Sequence, residues 1–350
     1  MSANTAFTNT DLTNAAVIEA EEFAYTPEVA ERTAEIFKRV APAISPEEWP
    51  DFAPYVDEIV RLKKERNAVI LAHNYQTRDI YHCVSDIVGD SLALAQKAID
   101  VEADVIVMAG VHFMAETTKL LNPSKTVLIP DPKAGCSLAD SITGEDVRNL
   151  RKKYPGVPIV TYVNTSVEVK AESDICCTSG NAVKIVESLG VDRVLLIPDR
   201  FLAANVAAET NVEILTWAGE CEVHERFTAQ QVTQLRKAHP DVTVLAHPEC
   251  PPEVVEAADY SGSTAGMINF VTDRKPKEVA LITECSMGDN IASQNPETTF
   301  IRSCNLCPHM QRINLMNICD SLKTMTHEVT INPEHEDKAR LAVQRMLDAS

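Results

Sequence analysis

The stretch TGEDVRNLRKKYPGVPIV (143–160) recurs 85 residues later, without a gap, as TAQQVTQLRKAHPDVTVL (228–245). Identical pairs at this shift include Val147/Val232, Leu150/Leu235, Arg151/Arg236, Lys152/Lys237, Pro155/Pro240 and Val157/Val242. An ungapped self-match of this length is typical of a chain built from repeated structural units. The sequence therefore predicts repeats with a period near 85 residues.

Three apolar runs follow one another in the same order within each period. The first runs are AVILAH (68–73), PIVTYVN (158–164) and VTVLAHPE (242–249). The second runs are DVIVMAG (104–110), RVLLIPD (193–199) and EVALITE (278–284), and the third are TVLIPD (126–131), VEILTWA (212–218) and TTFIRS (298–303). Short, continuous apolar runs rich in β-branched residues suit strands that are covered on both faces of a parallel sheet.

Segments with helical spacing separate these runs, as in SLALAQKAI (91–99) and GNAVKIVESL (180–189). Strand and helix therefore alternate, which predicts an α/β fold made of three similar three-layer α/β/α domains with parallel sheets. We predict a helical or partly disordered extension over 1–53, and a closing helix over 331–350. The repeats would occupy 54–142, 143–227 and 228–330.

Composition narrows the class of partner. The formal net charge of −19 argues against nucleic acid or an anionic membrane as a partner and favours a small-molecule substrate. We see neither a secretory signal nor an apolar stretch long enough to span a bilayer, so a cytoplasmic location is expected. Thiols stay reduced there, so the ten cysteines indicate metal ligation, catalysis or burial rather than disulfides.

Only three of the cysteines occupy equivalent positions in the repeats. Cys136 and Cys221 lie 85 residues apart, and Cys307 follows 86 residues later. Cys304 competes with Cys307, because the two form a Cys-x-x-Cys pair that could be a redox dithiol or half a zinc site. The remaining cysteines have no repeat partner, and burial as small apolar side chains is expected for Cys83, Cys176, Cys177, Cys250, Cys285 and Cys319.

Three thiolates, one from each repeat, fit an iron–sulfur cluster better than structural zinc. A structural zinc ion needs four ligands, whereas a [4Fe–4S] cluster held by three cysteines leaves one iron open to substrate. An open iron is a Lewis acid that can assist the loss of a hydroxyl group. The compact Cys-x3-Cys-x2-Cys loop of radical enzymes is absent from the sequence. The pattern therefore favours dehydration chemistry.

Polar residues end the first strand of each repeat, where parallel α/β sheets carry their chemistry. These residues are His73 and Tyr75, Tyr162 and Asn164, and His247 and Glu249. The two histidines are repeat-equivalent, which favours acid–base chemistry. Tyr162 could equally well only pack in the core.

A second polar set stands at the predicted start of the following helices. Small hydroxyl residues there suit a carboxylate or phosphate, because a helix start offers free N–H groups and a favourable dipole. Each of them could also be a simple N-cap. The candidates are Ser91, Ser179, Ser263 and Thr264.

A family resemblance adds to these observations. The motifs AHNYQ (72–76), GDSL (89–92), GVHFMAET (110–117), AGCS (134–137), YVNTS (162–166), CTSGNA (177–182), GECEVH (219–224), HPEC (247–250), GSTAGM (262–267) and CPHM (307–310) resemble those of quinolinate synthases. The resemblance covers roughly residues 55–325. It implies three α/β/α domains related by pseudo-threefold symmetry around a central cavity that holds a [4Fe–4S] cluster.

The resemblance also implies a reaction and its partners. Iminoaspartate would condense with dihydroxyacetone phosphate to give quinolinate for NAD biosynthesis, with release of phosphate and water. An oxidase or dehydrogenase would supply the iminoaspartate. Two other classes stay open, namely another hydro-lyase with an open iron and a non-enzymatic iron–sulfur sensor or carrier.

Carried over by position, the resemblance assigns roles to single residues. The cluster ligands would be Cys136, Cys221 and Cys307. Tyr75 and Glu249 would transfer protons, His73 would face the substrate and His247 would orient it. The carboxylates or phosphate of the substrates would be bound by Ser91, Asn164, Ser179, Ser263 and Thr264. The cavity wall would include Tyr162, Phe113 and Met114. Asn74 departs from a family pattern that often has a second Tyr at this position.

Overall fold

The computed structural model describes residues 23–350, and it begins with two helices that precede the first sheet. Helix α1 spans Pro27–Val40, and the Thr26 hydroxyl caps it by accepting a hydrogen bond from the N–H of Val29. Helix α2 spans Trp49–Arg66 and ends at Asn67, whose φ of 48° turns the chain into the first strand. Residues 1–22 of the predicted extension lie outside the described residues. Helix α2 runs across the boundary predicted after residue 53.

The first sheet has four parallel strands. They are β1 (Ala68–His73), β2 (Ile87–Gly89), β3 (Val105–Ala109) and β4 (Thr126–Leu128), in the spatial order β2-β1-β3-β4. A π-helical turn (Asp79–Val84), α3 (Ser91–Ile99) and α4 (His112–Leu121) connect them.

The second sheet repeats this arrangement. Its parallel strands are β5 (Ile159–Tyr162), β6 (Ile175–Cys177), β7 (Arg193–Ile197) and β8 (Glu213–Thr216), in the order β6-β5-β7-β8. The short helix α5 (Ser137–Asp140) leads into this repeat, whose helices are α6 (Gly144–Lys153), α7 (Val167–Ala171), α8 (Ala182–Ser188) and α9 (Arg200–Glu209).

The third sheet follows the same order once more. Its parallel strands are β9 (Thr243–Ala246), β10 (Tyr260–Ser261), β11 (Glu278–Ile282) and β12 (Thr299–Ile301), in the order β10-β9-β11-β12. Its helices are α10 (Ala229–Ala238), α11 (Pro252–Ala257), α12 (Thr264–Arg274) and α13 (Cys285–Ala292). A 3₁₀ turn (Met310–Arg312), α14 (Leu315–Thr324) and α15 (Pro333–Ala349) complete the chain.

The predicted fold class is confirmed, because three parallel four-stranded sheets share one strand order. The two helices of the self-match also begin alike. Thr143 at the start of α6 and Thr228 at the start of α10 each form a capping box, with Asp146 and with Gln231 respectively. The division of the chain at residues 142, 227 and 330 stays a prediction.

The closing helix α15 joins two of the repeats. It packs against α7 and β6 of the second repeat and against α4 of the first. The Arg340 side chain donates a hydrogen bond to the carbonyl oxygen of Leu120 (2.8 Å), and Arg345 donates to that of Asp174 (2.8 Å). Within residues 23–350, the helices are too short or too polar to cross a lipid bilayer.

Candidate active site

One cavity is lined by residues of all three repeats. His73 ends β1, Tyr162 ends β5 and His247 directly follows β9, so the first strand of every sheet points its carboxyl end at this space. The predicted residues that line the cavity are His73, Tyr75, Ser91, Phe113, Met114, Cys136, Tyr162, Asn164, Ser179, Cys221, His247, Glu249, Thr264 and Cys307. Ser263 lies just behind this wall, where its hydroxyl accepts a hydrogen bond from the N–H of Gly266 (3.2 Å) and caps α12.

The three repeat-equivalent cysteines all line this cavity as free thiols. Cys136 precedes α5, Cys221 lies in the loop after β8 and Cys307 lies in the loop after β12. Burial raises the pKa of Cys136 to about 12 and that of Cys307 to about 11. Burial, followed by the nearby carboxylate of Glu249, raises the pKa of Cys221 well above its ordinary value. Thiols in such surroundings need a cation to become thiolates.

Two hypotheses about Cys304 are wrong. Cys304 forms a disulfide with Cys285, with their Cα atoms 5.0 Å apart, so it is neither a dithiol partner of Cys307 nor a free metal ligand. Cys285, expected to be a buried thiol, is the other half of this bond. The reason is tertiary: the backbones of Glu284 and Asn305 form a parallel bridge that brings the two cysteines together. The other five cysteines expected to be buried, Cys83, Cys176, Cys177, Cys250 and Cys319, are buried.

The two strand-end histidines share one hydrogen-bond pattern. The Nδ1 atom of His73 accepts a hydrogen bond from the N–H of Tyr75 (3.2 Å), and that of His247 accepts one from the N–H of Glu249 (3.3 Å). This pattern assigns the ring proton to Nε2. Burial lowers the pKa of His73 to about 4 and that of His247 to about 3. Both rings are therefore neutral hydrogen-bond donors near neutral pH.

Glu249 is a buried carboxyl with a partner on each oxygen. Its Oε1 accepts a hydrogen bond from the hydroxyl of Tyr162 (2.6 Å), and its Oε2 lies 2.7 Å from Nδ1 of His224. Burial raises the pKa of Glu249, but the neighbouring imidazoles of His247 and His224 and these hydrogen bonds outweigh burial. The pKa of Glu249 therefore lies well below its ordinary value.

A continuous hydrogen-bond chain joins Glu249 to Tyr75. The Nε2 atom of His224 lies 2.9 Å from Oγ1 of Thr283, which lies 2.7 Å from the hydroxyl of Tyr75. Burial, followed by the charge of Glu249, raises the pKa of Tyr75 well above its ordinary value. The two residues predicted to transfer protons are thus at opposite ends of one chain of donors and acceptors.

Sequence reasoning missed both residues in the middle of that chain. His224 follows Cys221 by three residues inside the motif GECEVH, but the equivalent positions in the other repeats are Ala139 and Met310, so the repeat comparison did not reveal it. Thr283 directly follows β11. The Cys-x-x-His spacing was the one available signal for His224.

The predicted anion-binding residues differ in their surroundings. Thr264 begins α12, and its hydroxyl oxygen accepts a hydrogen bond from the amide of Asn74 (2.8 Å), which leaves the hydroxyl proton free for a ligand. Ser91 begins α3, but the Asp90 carboxylate already caps that helix through the N–H of Ala93 (2.9 Å). Because a carboxylate neutralises the α3 start, the α12 start is the better anion site.

Two further predicted residues complete the polar wall. The hydroxyl of Ser179 lies 3.3 Å from Nε2 of His247, so that histidine can donate to it. The Oδ1 atom of Asn164 is buried and has no hydrogen-bond partner within residues 23–350. A buried polar atom without a partner is costly, so a ligand that donates a hydrogen bond to Asn164 would be stabilised here.

Comparison with known proteins identifies the family. The family model described as quinolinate synthetase A protein matches residues 57–348. Quinolinate synthase 2 of Mesorhizobium japonicum is 67% identical over 312 residues, which cover 89% of this chain and 96% of that protein. Quinolinate synthases of Agrobacterium fabrum (65% over 314 residues; 90% and 91%) and Sinorhizobium fredii (60% over 332 residues; 95% and 92%) are similar. This chain therefore belongs to the quinolinate synthase family of enzymes.

Proposed function

We propose that the chain condenses iminoaspartate with dihydroxyacetone phosphate to quinolinate, releasing phosphate and water, as a step of de novo NAD biosynthesis. One observation carries the proposal. Each repeat contributes one free cysteine to a single cavity, and Tyr75 and Glu249, which line the same cavity, are joined by a series of side-chain hydrogen bonds. The motif series and the family membership support the choice of substrates. An oxidase or dehydrogenase that makes iminoaspartate is the proposed supplier, and a cytoplasmic location stays a prediction.

The residues at the cavity fit a [4Fe–4S] cluster. Three soft thiol donors face one space, and each is free of any disulfide. Cys136, Cys221 and Cys307 would hold the cluster as thiolates. When bound, a cluster with only three cysteine ligands supplies an iron with an open position, which acts as a Lewis acid.

The negative groups of the substrates would bind at the polar wall. The hydroxyl of Thr264 and the free N–H groups at the start of α12 suit a phosphate or carboxylate. Ser91 and Ser179 would add hydroxyl donors, and Asn164 would accept a hydrogen bond from the substrate through its Oδ1 atom. Ser263 would support this site indirectly, because its hydroxyl caps the start of α12 without contacting the substrate.

The histidines would orient the uncharged polar groups of the substrates. His73 and His247 can each donate an Nε2–H hydrogen bond into the cavity while remaining neutral. A neutral donor suits a substrate carbonyl or hydroxyl group. Phe113 and Met114 would supply the apolar part of the wall and exclude water.

Protons would move along the chain of hydrogen bonds. As the Tyr75 oxygen takes a proton from the substrate, Tyr75 gives its own to Thr283, and the Thr283 hydroxyl gives one to Nε2 of His224. The carboxylate of Glu249 then stabilises the resulting imidazolium. The reverse sequence returns a proton to Tyr75, which can deliver it to a departing hydroxyl.

The experiment is an anaerobic assay of the purified chain with both substrates. Quinolinate should form only when iminoaspartate and dihydroxyacetone phosphate are both present, with one phosphate released per quinolinate. Another hydro-lyase would leave dihydroxyacetone phosphate unconsumed, and a sensor or carrier would turn over neither substrate. Either result would overturn the proposed reaction.

A further inference from the structure

Three different donor atoms meet on one side of the cavity. The Sγ of Cys221, the Nδ1 of His224 and a carboxylate oxygen of Glu249 all lie within 4.8 Å of one another. Nδ1 of His224 is 3.2 Å from Sγ of Cys221 and 2.7 Å from Oε2 of Glu249. A single position in front of this nitrogen therefore faces both the sulfur and the oxygen.

Thiolate, imidazole and carboxylate are the three side-chain ligands that zinc uses. Open zinc sites combine three protein ligands with a fourth position for water or substrate. At ordinary zinc–ligand distances, neighbouring nitrogen and oxygen ligands of a tetrahedral site lie about 3.3 Å apart. The observed spacings of 2.7 and 3.2 Å require only a small expansion, of the kind expected when a metal ion binds Nδ1 and the neutral ring carries its proton on Nε2 instead.

The outer contacts of these residues are those of a built metal site. Metal-binding histidines usually make a hydrogen bond through their second ring nitrogen, and ligating carboxylates are hydrogen-bonded in turn. Nε2 of His224 contacts Oγ1 of Thr283 (2.9 Å), and Oε1 of Glu249 accepts a hydrogen bond from Tyr162 (2.6 Å). His224 is 1% exposed and Glu249 is 4% exposed, so their rings and oxygens are held in place by packing.

Charge also favours a cation here. Cys221 and Glu249 lie side by side in this buried site, and as thiolate and carboxylate they would place two negative charges next to each other. A divalent cation would compensate both negative charges at once. Within residues 23–350 no second group of three such donors lies at this spacing.

We propose that, in the chain without its cluster, Cys221, His224 and Glu249 bind one divalent cation of the zinc class, with the cavity side open to water or an anion. Cys221 would serve both the cation and the cluster, so the two would exclude each other. Only this competition between cation and cluster depends on the function proposed above, which includes the cluster. The cation site itself rests on the three donor atoms.

Cobalt(II) is the probe, because a thiolate–cobalt bond gives a charge-transfer band and tetrahedral cobalt gives intense visible bands. The full-length chain, freed of its cluster under anaerobic conditions, should bind one equivalent of Co²⁺ with both features, and Zn²⁺ should displace it. The variants Cys221→Ser, His224→Gln and Glu249→Gln should lose the spectrum. Thr283→Val removes an outer contact and should weaken Zn²⁺ binding about 10–100-fold.

The matched control is Cys136→Ser, which removes a neighbouring thiol of the cavity but none of the three donors. It should retain the full cobalt spectrum, and far-ultraviolet circular dichroism should show that every variant is folded. A spectrum lost equally in Cys136→Ser and Cys221→Ser would mean that the three cysteines bind the ion, which overturns the proposal. Binding without a charge-transfer band would overturn it as well.

The competition has its own readout. Zn²⁺-loaded chain, given iron and sulfide under reducing conditions, should assemble its cluster more slowly than metal-free chain. His224→Gln, which loses the cation but keeps every cysteine, should remove this delay. Assembly at an unchanged rate while Zn²⁺ stays bound would contradict a shared Cys221.

Discussion

The ends of strands β1 and β9 are built alike but carry different chemistry. In both, a buried histidine accepts a hydrogen bond at Nδ1 from the N–H two residues later, at 3.2 Å for His73 and 3.3 Å for His247. In both, burial lowers the histidine pKa, to about 4 and about 3. The residue that provides the N–H differs, being Tyr75 in the first repeat and Glu249 in the third.

Because Tyr75 stands at one strand end and Glu249 at the other, the two ends carry groups in different protonation states. Burial raises the pKa of Tyr75, which keeps its hydroxyl protonated, whereas the imidazoles and hydrogen bonds around Glu249 overcome burial and keep its carboxylate ionised. The repeat therefore provides equivalent positions around the cavity, and residue identity decides which position carries a protonated hydroxyl group and which holds a negative charge. In the second repeat the equivalent residue is Asn164, which does not titrate.

The largest expected effect comes from replacing the titratable group of Glu249 or of Tyr75. Glu249→Gln and Tyr75→Phe should each lower kcat by about 10²–10⁴-fold, the usual contribution of a positioned acid or base. The cluster absorption should be unchanged in both variants. Anaerobic assays of quinolinate formation give the rates.

Glu253→Gln, on the exposed start of α11 four residues further on, is the matched control and should keep full activity. If Glu249→Gln retained more than a tenth of the wild-type rate with an intact cluster, the role of Glu249 in proton movement would be wrong.

A second test concerns the feature that the two strand ends share, a buried histidine with a lowered pKa. Between pH 6.5 and 4 the unfolded chain binds a proton at His73 and the folded chain does not, so the free energy of unfolding should fall as the pH is lowered through this window. A shift of this size corresponds to about 3 kcal/mol for His73. Burial raises the pKa of Glu284 to about 7, which acts in the opposite direction, so the comparison needs a variant.

His73→Gln supplies that comparison. Urea unfolding at pH 7 and at pH 4.5 should show a smaller loss of stability on acidification in the variant than in the wild type. Equal losses in the two proteins would mean that the folded chain does not hold His73 neutral.

The smallest effect is expected at the α12 start. Thr264→Val removes a hydroxyl donor and leaves the amide of Asn74 without its acceptor, so KM for the phosphate-bearing substrate should rise about tenfold, with a smaller change in kcat. Thr272→Val, on the exposed side of the same helix, should leave both constants unchanged. A purely structural role for Thr264 would instead lower the amount of folded protein at unchanged KM.

The fold could be predicted from the sequence because its cause is local and repeated. Buried parallel strands need continuous apolar runs, and three rounds of them make the period visible. The same period brought Cys136, Cys221 and Cys307 to notice, and the structure brings all three to one cavity.

The missed features arise where the repeats differ. The equivalent positions of the other repeats hold different residues from His224 and Thr283, and these two meet only because loops of different sequence approach each other in space. The Cys285–Cys304 disulfide depends on the bridge between Glu284 and Asn305, a tertiary contact that spacing along the chain cannot reveal. The catalytic and binding roles of the cavity residues stay predictions.

Iron and sulfide analysis of anaerobically purified protein shows whether each repeat contributes one cysteine to a single cluster. The wild type and the Cys304→Ser variant should both contain the iron and sulfide of one [4Fe–4S] cluster per chain. Cys136→Ala, Cys221→Ala and Cys307→Ala should each lose it. A full complement of iron and sulfide in any of these three variants, or its loss in Cys304→Ser alone, would mean that Cys136, Cys221 and Cys307 are not the three ligands of one cluster.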